Sequence, residues 1–116
     1  MAVDLDAFAR DWLQAWNDHD LDAVLGFYAD EALMRSPRIS LVLGAGVDTL
    51  KGKAALRDYW EAALETAQGL FFDMDGVFRS ADAVTLLYTN HRDQQVAETF
   101  IFNAEGLVVE SVAAYA

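Results

Sequence analysis

Apolar side chains recur at Leu5, Phe8, Ala9, Trp12, Leu13 and Trp16, the i, i+3, i+4, i+7, i+8, i+11 spacing of one helical stripe. A polar break, Asn17-Asp18-His19-Asp20, interrupts it. Asp20 is placed to cap a second, short helix carrying Leu21, Val24, Leu25 and Tyr28. Ala32 to Ser36 then reads as a short strand stopped by Pro37. From Arg38 to Lys51, the apolar residues Ile39, Leu41, Val42, Leu43 and Leu50 flank a Gly44-Ala45-Gly46 break, which suggests an extended loop with strand pieces. Gly52 precedes a third helix, Lys53 to Ala67, whose stripe is Leu56, Tyr59, Trp60, Ala63, Leu64 and Ala67; Gly69 ends it.

Beyond Gly69 the pattern changes to strand. Leu70 to Phe78 alternates around Phe72 and Met74, and Ala83 to His91 is rich in β-formers, with a turn at Arg92 to Gln94. Gln95 to Asn103 and Leu107 to Tyr115 are joined by Asn103-Ala104-Glu105-Gly106, a hairpin signal with glycine at the left-handed position. Helices followed by an antiparallel meander predict an α+β domain, three N-terminal helices on one face of a curved, mostly antiparallel sheet.

Strand alternation sorts the side chains. One face takes Leu86, Tyr88, Asn90, Val96, Glu98, Phe100, Phe102, Val109, Ser111, Ala113 and Tyr115. The other takes Leu87, Ala97, Thr99, Ile101, Val108, Glu110, Val112 and Ala114. Both faces are substantially apolar, and the helices cover only one. A second copy of the chain, packed sheet to sheet, is the expected cover for the other, giving a homodimer through the outer sheet face.

Composition narrows the partners. The 116 residues make one domain, 1–116, and 54% apolar content excludes disorder. One proline and seven glycines leave no linker. Eight basic against 19 acidic residues give a net charge of −11, so nucleic acid and membrane are not expected as partners. With no cysteine and only two histidines, thiolate chemistry is absent and a metal site is not expected. Asp4, Asp6 and Arg10 stand where a signal peptide needs an apolar run, so the expected location is cytoplasmic.

The corner Trp16-Asn17-Asp18-His19-Asp20-Leu21-Asp22-Ala23 and the run Phe27-Tyr28-Ala29-Asp30-Glu31 resemble the N-terminal half of SnoaL-like proteins. So do Ser36-Pro37, Leu50-Lys51-Gly52-Lys53 and Phe100-Ile101-Phe102-Asn103-Ala104-Glu105-Gly106-Leu107-Val108. The pattern spans nearly the whole chain in order. It implies membership of the nuclear transport factor 2-like superfamily: a cone-shaped cystatin-like fold, a deep apolar pocket at the open end and frequent dimers. Relatives include polyketide cyclases, ketosteroid isomerases, scytalone dehydratase and limonene epoxide hydrolase, beside non-catalytic binding domains. One fold hosts many functions, so activity must be argued from the pocket.

Glu98 is the foremost candidate, alone among Val96, Phe100 and Phe102 on one strand face. A carboxylate in an aromatic-lined cavity has its pKa raised by desolvation, which suits an acid/base or a neutral donor. Its resemblance is to the isomerase position holding a protonated aspartic acid that helps stabilise the enolate. The plain reading is that Glu98 pairs with a buried arginine or hydroxyl. The other isomerase residues do not carry over: Ser36 stands where the base would be, and Trp12 where the oxyanion-hole tyrosine would be. Among the helix aromatics, Trp16 and Tyr59 read as core, while Trp12, Tyr28 and Trp60 read as pocket. Met34, Ser36, Phe72, Tyr88, Asn90, Phe100, Ser111 and Tyr115 complete the candidate lining, its polar members being either ligand contacts or satisfied interior groups. His19 reads as corner chemistry. His91, at a strand end beside Arg92 and Asp93, reads as a solvated turn residue, or as an alternative base if it faces the mouth. Asp73 and Asp75 read as a solvated face.

Two functions remain. One is a cofactor-independent pocket enzyme, a cyclase, isomerase or dehydratase moving a proton on a small apolar carbonyl compound. The other is a non-catalytic ligand-binding or dimerisation domain.

Overall fold

The computed structural model describes residues 3–116. Helix α1 (Leu5–Asn17) starts where Asp4 Oδ1 accepts from the Ala7 amide at 3.0 Å, and it buries Phe8, Ala9, Trp12, Ala15 and Trp16. After the corner, Asp20 caps α2 (Leu21–Leu25) through the Ala23 amide at 3.1 Å, as expected. His19 sits in the left-handed region at φ 56°, and its Nε2 lies 2.8 Å from the Leu70 carbonyl oxygen. It is a corner residue that tethers a distant loop. Asn17 does the same more fully: its amide donates to the Phe72 carbonyl at 3.0 Å and accepts from the Phe72 amide at 2.8 Å.

Three elements differ from the sequence reading. Tyr28, expected on the stripe of α2, begins strand β1 (Tyr28–Arg35), because the helix closes at Gly26. The segment expected as a loop contains a fourth helix, α3 (Pro37–Leu43), before β2 (Thr49–Lys51). Ser36 Oγ accepts from the Arg38 amide and Pro37 occupies the first turn, so the pair read as a strand stop is also a helix start. Only Ile39 of that helix is buried; Leu41 is 78% exposed. Helix α4 (Lys53–Thr66) follows with its expected stripe of Leu56, Tyr59 and Trp60 buried.

The remaining strands are β3 (Asp73–Arg79), β4 (Ala83–Thr89), β5 (Gln95–Phe102) and β6 (Val108–Tyr115). They complete a six-stranded sheet in the order β2-β1-β6-β5-β4-β3, antiparallel except for the parallel β1–β6 pair. Gly106 at φ 82° closes the β5–β6 hairpin. Register irregularities in β1, in β3 and at Ile101/Phe102 bend the sheet around α1. The last one also corrects the face assignment of one pair. Phe102 faces Val108 across the bulge, so Val108 is buried inside and Val109 turns outward.

The inner face seals onto α1 through aromatic edges. Phe8 meets Phe27, Phe100 and Phe102 at centroid distances of 5.4, 5.1 and 4.9 Å. This packing closes the narrow end of the cone, while the end bounded by α3, α4 and the β4–β5 turn remains open. Asp73 and Asp75 are exposed. No helix among the described residues is long and apolar enough to cross a membrane.

Candidate active site

Alternation along β5 turns Val96, Glu98, Phe100 and Phe102 inward. Phe100 and Phe102 are covered by Phe8, but Glu98 faces a cavity of about 180 Å³ under the open end of the cone. The residue is only 6% exposed. One partner reaches it: the Tyr88 hydroxyl, on the neighbouring strand, donates to Glu98 Oε1 at 2.8 Å. Two effects oppose each other here. Burial penalises the carboxylate and raises its pKa, while the hydroxyl donation favours the ionised form. Burial wins, and the Glu98 pKa is pushed up to about 7. At neutral pH the group therefore samples both protonation states, the condition for an acid/base that works without a cofactor.

The surrounding hydroxyls stay protonated. Tyr88 and Tyr28 are pushed well above the usual phenol range by burial and by the nearby Glu98 charge. Tyr28 Oη accepts from the Trp12 indole N–H at 3.3 Å and retains its own proton to donate. The apolar walls come from α1, α4 and the segment entering β3. Trp12 stacks on Phe72 with centroids 5.8 Å apart and planes 17° from parallel, and Phe72 meets Tyr88 at 4.6 Å. Trp60 packs edge-on against Trp16 and Tyr28, both at 5.2 Å.

Of the candidate lining, the structure brings together Trp12, Tyr28, Met34, Ser36, Trp60, Phe72, Tyr88, Asn90 and Tyr115 with Glu98 around this one cavity. Phe100 and Ser111 are corrections. Both are fully buried beneath the wall, Phe100 filled in by Phe8 and Trp12, and Ser111 Oγ without a hydrogen-bond partner among the described residues. Ser36 Oγ accepts from the Arg38 amide at the start of α3 and keeps its own proton to donate. Asn90 is largely committed to its turn, where Oδ1 accepts from the Arg92 and Gln94 amides. His91 lies at the rim, exposed, its pKa lowered by partial burial and by the positive charges of Arg92 and Arg38.

Trp16 and Tyr59, read from sequence as core, are buried and also form part of the wall. Arg38, Leu41 and Val42 of α3 were not anticipated at all. Their signal was the Ser36-Pro37 helix start, which turns three residues of a supposed loop toward the mouth. Among the described residues no cluster of three or more His, Asp or Glu side chains is placed to hold a metal.

A family model described as a SnoaL-like domain matches residues 9–115. Among solved structures, a SnoaL-like protein of unknown function from Burkholderia thailandensis is 36% identical, with a TM-score of 0.92 over 97% of this chain and 93% of that one. A protein from Sinorhizobium meliloti described as a putative polyketide cyclase shares the fold at 16% identity and a TM-score of 0.77, covering 96% of each chain. A Mycobacterium tuberculosis protein solved in complex with estradiol-17β-hemisuccinate does so at 16% identity and 0.76, over 97% of this chain and 93% of that one. No curated protein matches. The α+β cone, its curved six-stranded sheet and the match over nearly the whole chain agree, and the protein belongs to the SnoaL-like family.

Proposed function

We propose that the chain is a small-molecule pocket protein that moves a proton on a compact, largely apolar carbonyl compound. The observation that carries this reading is Glu98: a lone buried carboxyl at the cavity floor, its pKa pushed up to about 7 by burial, held by the Tyr88 phenol. Ionised, it removes a proton from the carbon next to a carbonyl, leaving the C–H electron pair as an enolate. The protonated Tyr28 hydroxyl is the available donor to the developing oxyanion. Protonated, Glu98 then returns the proton, either to a different carbon, which is isomerisation, or to a departing hydroxyl, which is dehydration. Ring closure results if the enolate carbon instead attacks a second carbonyl in the same molecule, whose π pair becomes an alkoxide that takes the proton back from Glu98. No step requires a cofactor. The cyclase description of one structural neighbour and the steroid ester bound by another support this class of ligand.

Hydrogen–deuterium exchange at the α-carbon of bound cyclic ketones tests the chemistry. Exchange catalysed by the wild-type chain and abolished by Glu98→Gln is the expected result. Binding without exchange, equal in both proteins, sinks the catalytic reading and leaves the second one. That second reading is a non-catalytic ligand-binding domain, favoured by the single carboxyl in the cavity and by the exposed position of His91 at the rim.

The outer sheet face is proposed as a homodimer surface. It presents Leu87, Ala97, Ile101, Val112 and Ala114, beside Glu110, which pairs with Arg35 at 3.6 Å, and the Thr85 and Thr99 hydroxyls, bonded to each other at 2.8 Å. All four helices are accounted for elsewhere, and a two-fold copy is the simplest complement.

A further inference from the structure

The chain carries eight lysines and arginines against 19 acidic residues. Six of the eight make ion pairs: Arg10, Arg35, Lys51, Lys53, Arg57 and Arg79 each have a carboxylate oxygen within 4.0 Å. Arg38 and Arg92 are the remaining two, and among the described residues no carboxylate comes that close to either. Both line the mouth of the cavity above Glu98. In so acidic a protein, two unneutralised guanidiniums at one opening are the reverse of what composition would place there.

Arg38 is also held in position by neutral groups. Its Nη2 donates to Gln94 Oε1, and its guanidinium carbon stands 4.9 Å from the centre of the Tyr115 ring. Those contacts orient the fork and leave donors unspent, since a guanidinium carries five N–H groups. Arg92 extends from the exposed β4–β5 turn, whose Asn90 Oδ1 fixes the Arg92 backbone amide at 2.9 Å. His91 lines the same mouth, its pKa lowered by partial burial and then by the positive charges of Arg92 and Arg38. Beside them, Leu41 and Val42 continue the apolar wall outward to the rim.

We infer that the ligand of this cavity is an amphipathic carboxylic acid, its apolar body among Trp12, Trp60 and Phe72 and its carboxylate at the mouth on Arg38 and Arg92. This assignment rests on the small-molecule reading above and adds the charged end to it. The anion enters where the surface field is locally positive, and stays clear of the Glu98 carboxyl at the floor. The pair fixes which end of the molecule goes in first and therefore which carbon meets Glu98. Charge-assisted bonds to guanidinium are the strong class of hydrogen bond, and at a partly buried rim they discriminate well between an acid and its amide.

A matched probe pair, 2-naphthylacetate and 2-naphthylacetamide, tests this by titration calorimetry on the full chain at neutral pH. The acid is expected to bind about tenfold tighter than the amide, with the advantage shrinking as salt rises. In the Arg38→Gln/Arg92→Gln double variant the two compounds bind equally, at the affinity the amide has for the wild type. Arg92→Gln alone, in an exposed turn that holds no part of the core, reduces the advantage without any question of folding. Equal binding of acid and amide to the wild type, or an acid preference that survives the double variant, overturns the assignment while the small-molecule reading stands. Failure of both compounds to bind overturns the two together.

Discussion

The Tyr88 hydroxyl donates to Glu98 Oε1 at 2.8 Å across the β4–β5 ladder, and among the described residues this contact is the one hydrogen bond the buried carboxyl receives. The two residues are diagonal neighbours on the same face, Glu98 being paired with Leu86 and Tyr88 with Val96. A phenol rather than a cation thus answers the acid. It leaves the carboxyl neither fully neutralised nor fully ionised at neutral pH.

Removing the donor shifts that balance. In Tyr88→Phe the ionised form loses its partner, and the Glu98 pKa climbs above about 7 by roughly one further pH unit. Carbon-13 titration of the glutamate carboxyls measures it directly. A pKa that stays or falls contradicts the assigned hydrogen bond.

Glu98 also makes stability depend on pH. Its folded-state pKa lies above its unfolded value, from 4.5 to about 7, so the folded chain holds a proton that the unfolded chain has released across that window. Stability therefore falls as pH rises from about 4.5 to about 7, by about 3 kcal/mol from this group, and levels off above. Glu98→Gln lacks this component. Urea denaturation of both proteins at acid and alkaline pH should show the variant gaining on the wild type as pH rises; parallel curves would refute it.

Asn17→Ala removes both hydrogen bonds to the Phe72 backbone and leaves that amide and carbonyl without their partner. A loss of about 2 kcal/mol is expected, with weaker ligand binding because Phe72 is wall. Asn17→Asp, which keeps the acceptor and loses the donor, should fall between the two in thermal melts.

On the outer face, Ile101→Glu puts a second negative charge beside Glu110 on the proposed dimer surface. Sedimentation should show a wild-type dimer and a monomeric variant with unchanged circular dichroism. A monomeric wild type ends the dimer proposal.

Periodicity made α1, α4 and the last four strands legible, because each buries one regular face and the hydrophobic pattern records it. It failed where burial is sparse or irregular. Helix α3 hides behind its exposed Leu41, Val42 and Leu43, which imitate a buried strand while only Ile39 is enclosed. Val108 and Val109 exchanged faces because a bulge adds a residue that alternation cannot count. For the site, parity along β5 was enough to turn Glu98 inward. Arg38 was invisible for a different reason. Nothing local to it marks a binding residue; its significance appears only when six of the other seven cations are found paired with carboxylates.

The corner between α1 and α2 has a consequence for the wall of the cavity. Asn17 and His19 grip the backbone at Leu70 and Phe72 across 51 to 55 residues of chain, and the stretch they hold, between α4 and β3, belongs to no ladder. Its own backbone bonds are the turns from Ala67 back to Ala63 and from Leu70 back to Ala67. Outside any ladder, the stretch takes its position from these bonds and from the packing of Leu70 and Phe72 on the core. With them in place, Phe72 is held stacked on Trp12 and against Trp16 and Tyr88. The turn that punctuates the sequence thus shapes, from 51 to 55 residues away, a cavity that neither Asn17 nor His19 lines.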